Sequence, residues 1–217
     1  MGYNIVLVED HPLMQKGMEM TLQSEPDFEV TGMVSTAEEA FDLVENKKPD
    51  IAVIDISLPG MNGIELIRHL RTTHPDLRIL VVSRHDEELF AERAVRAGAQ
   101  GYIMKMHAGE QIVDAVRRIA NGGLYLSDAV SQKLLMRISA GTDNKKEGSP
   151  FQRLSDRELE VFRLIGRGKP TREIASQMHI SSKTVDTYKS RIREKLNITD
   201  SSTLFQQAMQ FVKEKEL

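Results

Sequence analysis

Cysteine and tryptophan are both absent from this 217-residue chain. Without thiols there is no disulfide framework, no thiolate metal site and no cysteine nucleophile. A chain of this kind suits a reducing compartment, and the cytoplasm is the expected location. Long hydrophobic runs are missing too. None approaches the roughly 18 apolar residues of a membrane span, so no membrane partner is expected. Met1 to Val8 has no basic stretch leading into an apolar core, so no signal peptide is expected. What remains, 40% hydrophobic and 28% charged residues, fits a soluble globular protein.

The net charge of −3 hides a division. Residues 1–123 hold 20 acidic and 12 basic side chains, a net −8, whereas residues 151–217 hold 9 and 13, a net +4. An acidic front and a basic back argue for two domains with different partners, and the back is the half suited to a polyanion.

The front alternates strand and helix signals. Strands are expected at 4–10, 28–34, 51–55, 78–83 and 101–105, and helices near 12–23, 36–46, 62–73, 86–97 and 108–121. The first, third and fourth strands are apolar at consecutive positions, as in parallel strands covered on both faces. The fold class expected is therefore α/β: a doubly wound, five-stranded parallel sheet of flavodoxin-like order 2-1-3-4-5. After residue 123 this rhythm stops. Residues 124–150 read as a linker. It holds a short helix over 127–139, capped by Ser127, with Val130, Leu134, Leu135 and Ile138 on one side. It ends in the apolar-free stretch GTDNKKEGSP (141–150). Residues 151–217 predict a small all-α domain, with helices near 155–166, 170–178, 182–196 and 200–214.

Open α/β sheets carry their chemistry beyond the carboxyl ends of the strands. Those ends here bear Glu9-Asp10, Asp55, Ser83 and Lys105. A strand-end aspartate alone is more often a loop residue or a cap; the combination is what argues. Three carboxylates in one crevice repel unless a cation neutralises them. Oxygen ligands without cysteine or clustered histidine indicate a hard ion, Mg²⁺. With Mg²⁺ and the Lys105 ammonium flanking it, Asp55 is placed to attack a phosphoryl group and form an acyl phosphate. A phosphatase of the haloacid dehalogenase type would need a second aspartate two residues on; Ser57 stands there.

The stretches LVEDHPLM, VIDISLPGMNGIEL, VVSRH and GYIMK together resemble the receiver domain of two-component response regulators, over roughly residues 3–122. The resemblance implies that Asp55 is the phosphoacceptor, Asp10 a direct Mg²⁺ ligand, Glu9 a ligand through water and the Ser57 carbonyl a further ligand. It makes Ser83 the switch hydroxyl, Tyr102 the aromatic that turns inward with it, and Lys105 the phosphoryl-contacting cation. It also implies a switch rather than turnover, so no enzyme activity is expected.

In the back half, Ile174, Ala175 and Met178 share one helix face, HISS makes a turn, and Val185, Ile192 and Leu196 line the next helix. This is helix-turn-helix spacing. The second helix begins at Ser182 and presents Lys183, Thr184, Thr187, Ser190 and Arg191 outward, with Lys189 at the margin. These are side chains that reach phosphates and base edges. An ordinary helical hairpin with solvated charges has the same spacing. Residues 154–196 are further similar to the LuxR-type DNA-binding domain, strongest at LSDRELEV and at EIA, IS and TV. Paired with a receiver, this is the NarL/FixJ class. That resemblance places Asp186, Thr187 and Ser190 at base-reading positions and makes the last helix a dimer contact. It implies a phosphorylation-controlled transcriptional regulator. The partners it implies are double-stranded DNA, a sensor histidine kinase, RNA polymerase and a second copy of the chain.

Overall fold

The computed structural model of the chain describes residues 2–139 and 150–215. The expected linker stretch 141–149 lies outside the described residues. The chain divides into two compact units, Met1–Ser139 and Ala140–Leu217.

The first unit runs β1 (Tyr3–Val8), α1 (Pro12–Gln23), β2 (Phe28–Val34), α2 (Ala37–Lys47), β3 (Ile51–Ile54), α3 (Gly63–Thr73), β4 (Arg78–Ser83), α4 (Glu87–Ala97), β5 (Gly101–Met104), α5 (Ala108–Ala120) and α6 (Asp128–Ser139). The strands form one parallel sheet in the order β2-β1-β3-β4-β5. Ile5 to Val8, Ile51 to Ile54 and Ile79 to Ser83 are buried on both faces, which is why these stretches read as unbroken apolar runs. On one face Ile5, Leu7, Val53 and Leu80 pack with Leu22 of α1 and Val116 of α5. Side-chain caps fix where the helices begin. Thr36 and Glu39 form a reciprocal capping box on α2, Asn62 caps α3 through Glu65 N–H at 2.8 Å, and Asp86 caps α4.

Strand register decides which residues meet beyond the sheet. Val8 pairs with Ile54, so Glu9 and Asp55 follow side by side. Ser83 pairs with Met104, so Lys105 follows next. The β3–α3 connection is drawn tightly against α3 at Gly63. A Cβ there would lie 2.1 Å from the Asp55 carbonyl oxygen and 2.8 Å from Ile56 Cα, so only glycine fits.

After α5 the chain crosses the free edge of β5. Tyr125 N–H donates to the Gln100 carbonyl and Tyr102 N–H donates to the Tyr125 carbonyl, each at 2.9 Å. Ser127 then caps α6 through Val130 N–H at 3.3 Å. This helix packs on α4, and Lys133 Nζ donates to the Glu88 carbonyl at 3.1 Å. Val130 is buried and Leu134 half-buried, but Leu135, expected on the packed side, is 63% exposed. One residue past Leu134 is about 100° around the helix, which carries it away from the Val130 face. The Ile138 side chain lies outside the described residues.

The second unit opens with a 3-10 turn at Pro150–Arg153, then α7 (Asp156–Gly166), α8 (Thr171–Gln177), α9 (Ser182–Leu196) and α10 (Ser201–Lys215). Phe151, Phe162 and Phe211 form a triangle with ring centroids 4.5 to 5.5 Å apart. Ile174, Val185, Ile192, Leu204 and Ala208 are buried. Here too a glycine permits backbone contact: a Cβ on Gly166 would lie 2.2 Å from the Ala208 carbonyl oxygen.

Candidate functional site

Glu9, Asp10 and Asp55 converge at the carboxyl ends of β1 and β3, with one ligand atom of each, and of His11, all within 4.8 Å of one another. Asp55 is 1% exposed. Lys105 Nζ reaches across from the end of β5, 2.8 Å from Asp55 Oδ2 and 2.7 Å from the Glu9 carboxylate. One ammonium thus serves two buried carboxylates. Asp55 Oδ1 is buried and accepts no hydrogen bond among the described residues. Burial, and then the neighbouring Asp55 charge, push the Glu9 carboxyl above the ordinary glutamate value, against the pull of Lys105. A surplus of buried carboxylate oxygen over donors is what a hard divalent cation relieves, so the residues present fit Mg²⁺.

Ser83 and Tyr102 meet at His85 rather than at the carboxylates. Ser83 Oγ accepts from His85 N–H at 3.1 Å. Tyr102 lies inward, and its hydroxyl donates to the His85 carbonyl at 2.8 Å. The His85 ring stacks on Phe90 of α4 with centroids 4.3 Å apart. Its Nε2 is 3.0 Å from Ser57 Oγ. The β4–α4 connection is therefore tied to β4, to β5 and to the residue two beyond Asp55. His11 and His85 were not among the residues singled out from the sequence. A histidine directly after Glu9-Asp10, and another two residues after Ser83, were the signals available.

In the second unit, Ser181 caps α9, accepting from Thr184 N–H at 3.0 Å. Val185 and Ile192 face inward, and Leu196 is half-buried. Ser182, Lys183, Asp186, Thr187, Ser190 and Arg191 are exposed; Thr184 is half-buried. Thr187 and Ser190 donate their hydroxyl protons to the Lys183 and Asp186 carbonyls, at 3.0 and 3.1 Å. Lys189 is half-buried, and its ammonium donates to Thr171 Oγ1 at the start of α8. It ties the two helices of the motif together.

Residues 5–117 match the response regulator receiver domain, and residues 152–208 match the bacterial regulatory proteins of the luxR family. The chain belongs to the NarL/FixJ class of response regulators. The transcriptional regulatory protein DegU of Brevibacillus brevis is 33% identical to this response regulator over 90% of its length and 88% of the relative's. The oxygen regulatory protein NreC of Staphylococcus carnosus is also 33% identical, over 94% of this response regulator and 96% of the relative. Among solved structures, RcsB of Salmonella enterica serovar Typhimurium, bound to promoter P1flhDC in the presence of phosphomimetic BeF3-, superposes with a TM-score of 0.58. It is 25% identical, over 95% of this chain and 97% of that one. A receiver followed by a LuxR-type helix-turn-helix makes this response regulator a DNA-binding transcription regulator. Among its described residues no helix is long and apolar enough to cross a membrane.

Proposed function

We propose that a sensor histidine kinase phosphorylates Asp55 and that the resulting change of surface promotes dimerisation and DNA binding. Residues 1–123 form the receiver, 124–150 the connecting segment and 151–217 the DNA-binding domain. The observation that carries this reading is the Lys105 ammonium shared by Glu9 and Asp55 beside an Asp55 oxygen without a donor. An Asp55 carboxylate oxygen attacks phosphorus, the bond from phosphorus to the imidazole nitrogen of the donor breaks, and that nitrogen keeps the electron pair. Lys105 offsets charge on the phosphoryl oxygens. Asp10, Asp55 and the Ser57 carbonyl would hold Mg²⁺, with Glu9 acting through water, and the ion would supply positive charge to the pocket and to an incoming phosphoryl group.

Ser83 Oγ is an acceptor toward His85 N–H, so its own proton is left to donate to a phosphoryl oxygen. That bond exists only in the phosphorylated state, so it biases the β4–α4 connection and the Tyr102 ring held on it. A tenfold shift takes only about 1.4 kcal/mol. Because α6 packs on α4 and Tyr125 pairs with β5, the chain leading to the second unit is attached to the elements that move.

Lys183 and Arg191 anchor DNA backbone. Lys189, committed to Thr171, joins them chiefly by setting the angle between α8 and α9. Thr187 and Ser190 read bases as acceptors, since their protons are spent on the helix. Asp186 accepts from cytosine N4. A dimer through α10 sets two reading helices about 34 Å apart, and RNA polymerase is the partner at the promoter.

Asp55→Asn is expected to abolish labelling by acetyl [³²P]phosphate with Mg²⁺; undiminished labelling removes Asp55 from this role. A gel shift with and without acetyl phosphate then tests the coupling, since equal affinity in both lanes denies control by phosphorylation. Arg191→Ala is expected to weaken binding to every duplex and to lower the salt slope by about one. An unchanged slope means that Arg191 touches no phosphate.

A further inference from the structure

His11 stands at the rim of the acid pocket in a way that the Mg²⁺ reading leaves unused. Its Nδ1 lies 2.6 Å from Asp10 Oδ1 and 3.0 Å from Glu9 Oε1. Its side chain is 41% exposed, so it borders both solvent and the buried carboxylates. The position after a strand and before α1 is an N-cap, yet the His11 side chain makes no cap hydrogen bond. The imidazole is turned to the pocket instead of to its own helix. Behind it lies the nearly buried Asp55, with one oxygen lacking a hydrogen-bond donor.

We propose that His11 Nδ1 is a nitrogen ligand of the cation held by Asp10 and Asp55, and that this ligand raises the affinity of the site for first-row divalent ions relative to Mg²⁺. The proposal rests on the reading of the pocket as a cation site. Its chemistry is general. Mg²⁺ is hard, holds its waters and prefers an all-oxygen shell, whereas imidazole suits first-row transition ions. An Nδ1 already in contact with two carboxylates needs little movement to share their cation. An Nδ1 lone pair directed at a cation leaves the proton on Nε2, which is the tautomer a ligating imidazole adopts. The residue that softens the pocket also sits where solvent enters, so it replaces a bound water rather than a buried ligand.

The test uses the full chain, metal-free, with Mn²⁺ alone as probe. Pulsed electron paramagnetic resonance is expected to detect a directly bound imidazole nitrogen on the protein-bound Mn²⁺. That signal should shift when histidine is labelled with ¹⁵N and vanish in His11→Gln. Competition titrations should give a Mn²⁺ to Mg²⁺ affinity ratio of tenfold or more in the parent chain, falling severalfold in His11→Gln. Because the His11 side chain caps nothing, His11→Gln should keep the fold, and circular dichroism checks that. Bound Mn²⁺ without an imidazole signal, or a signal that persists in His11→Gln, overturns the role of His11 while leaving the cation site standing. No Mn²⁺ or Mg²⁺ binding at all overturns both.

Discussion

Glu9 in the first unit and Glu158 in the second are both buried, and each meets a lysine ammonium, at 2.7 and 2.6 Å. Their carboxyls nevertheless shift in opposite directions. Burial raises both. At Glu158 the Lys195 ammonium and the Ser155 N–H outweigh it, and the net shift is downward. At Glu9 the Asp55 charge adds to burial, Lys105 is shared, and the net shift is upward. The lesson is that the ratio of donors to carboxylates, not burial, separates a pair that holds a fold together from a cluster that waits for a ligand. Glu158 closes a capping box and ties α7 to α9. Glu9 holds a place in a pocket that is short of positive charge.

The contrast can be broken most forcefully at the two glycines that bring backbone against backbone. Gly63→Ala and Gly166→Ala should each cost their own unit about 3 kcal/mol, because the clash is with a carbonyl oxygen rather than a side chain. Chemical denaturation followed by hydrogen exchange in each unit measures this. Only Gly63→Ala should also depress acetyl phosphate labelling, because its neighbour is the backbone of Asp55. Equal labelling in both variants would mean that the pocket tolerates a displaced β3–α3 connection.

Lys195→Met is the next test. It leaves Glu158 buried with the Ser155 donor alone and should destabilise the second unit by about 1 to 2 kcal/mol, the lower end applying because the lysine is 39% exposed. The smallest effect, and the sharpest, is in pH. A carboxyl whose folded pKa is raised contributes stability in acid that is lost as pH rises through the raised value. Metal-free protein should therefore weaken from acid toward neutral pH at the first unit, and Glu9→Gln should remove that slope and be the more stable near neutrality. Glu158 predicts the reverse sign. Its folded pKa is lowered, so its contribution is present above the ordinary glutamate value and is lost as pH falls. Melting curves of Glu9→Gln and Glu158→Gln against pH check both signs, and parallel slopes would erase the distinction.

Much of this architecture is legible in the residues because burial on two faces leaves a simple mark. The apolar runs ending at Val8, Ile54 and Ser83 give strand positions to within a residue or two, and the end of each run hands Glu9, Asp55 and Ser83 to the same side of the sheet. Lys105 was legible for the same reason. The histidines were not. A lone His11 or His85 carries no periodicity; the contact that gives His85 meaning joins it to Ser57, 28 positions away, and that of His11 depends on which way its ring turns toward Glu9 and Asp10. Leu135 was misplaced because an apolar residue at a helix surface reads like one at its buried face unless the angle from Val130 is counted. The hydroxyls of Thr187 and Ser190 were legible as positions on a face but not as spent donors, since that depends on rotamer rather than on spacing.

The pairing of Tyr125 with Gln100 and Tyr102 has a practical corollary for anyone cutting the gene. A fragment stopped at residue 123 would strip β5 of its partner on the side away from β4 and leave the Tyr102 amide and the Gln100 carbonyl bare along an open sheet margin. Such a margin invites strands from other molecules, so the shortest well-behaved fragment is one that carries the chain past Tyr125 and through α6.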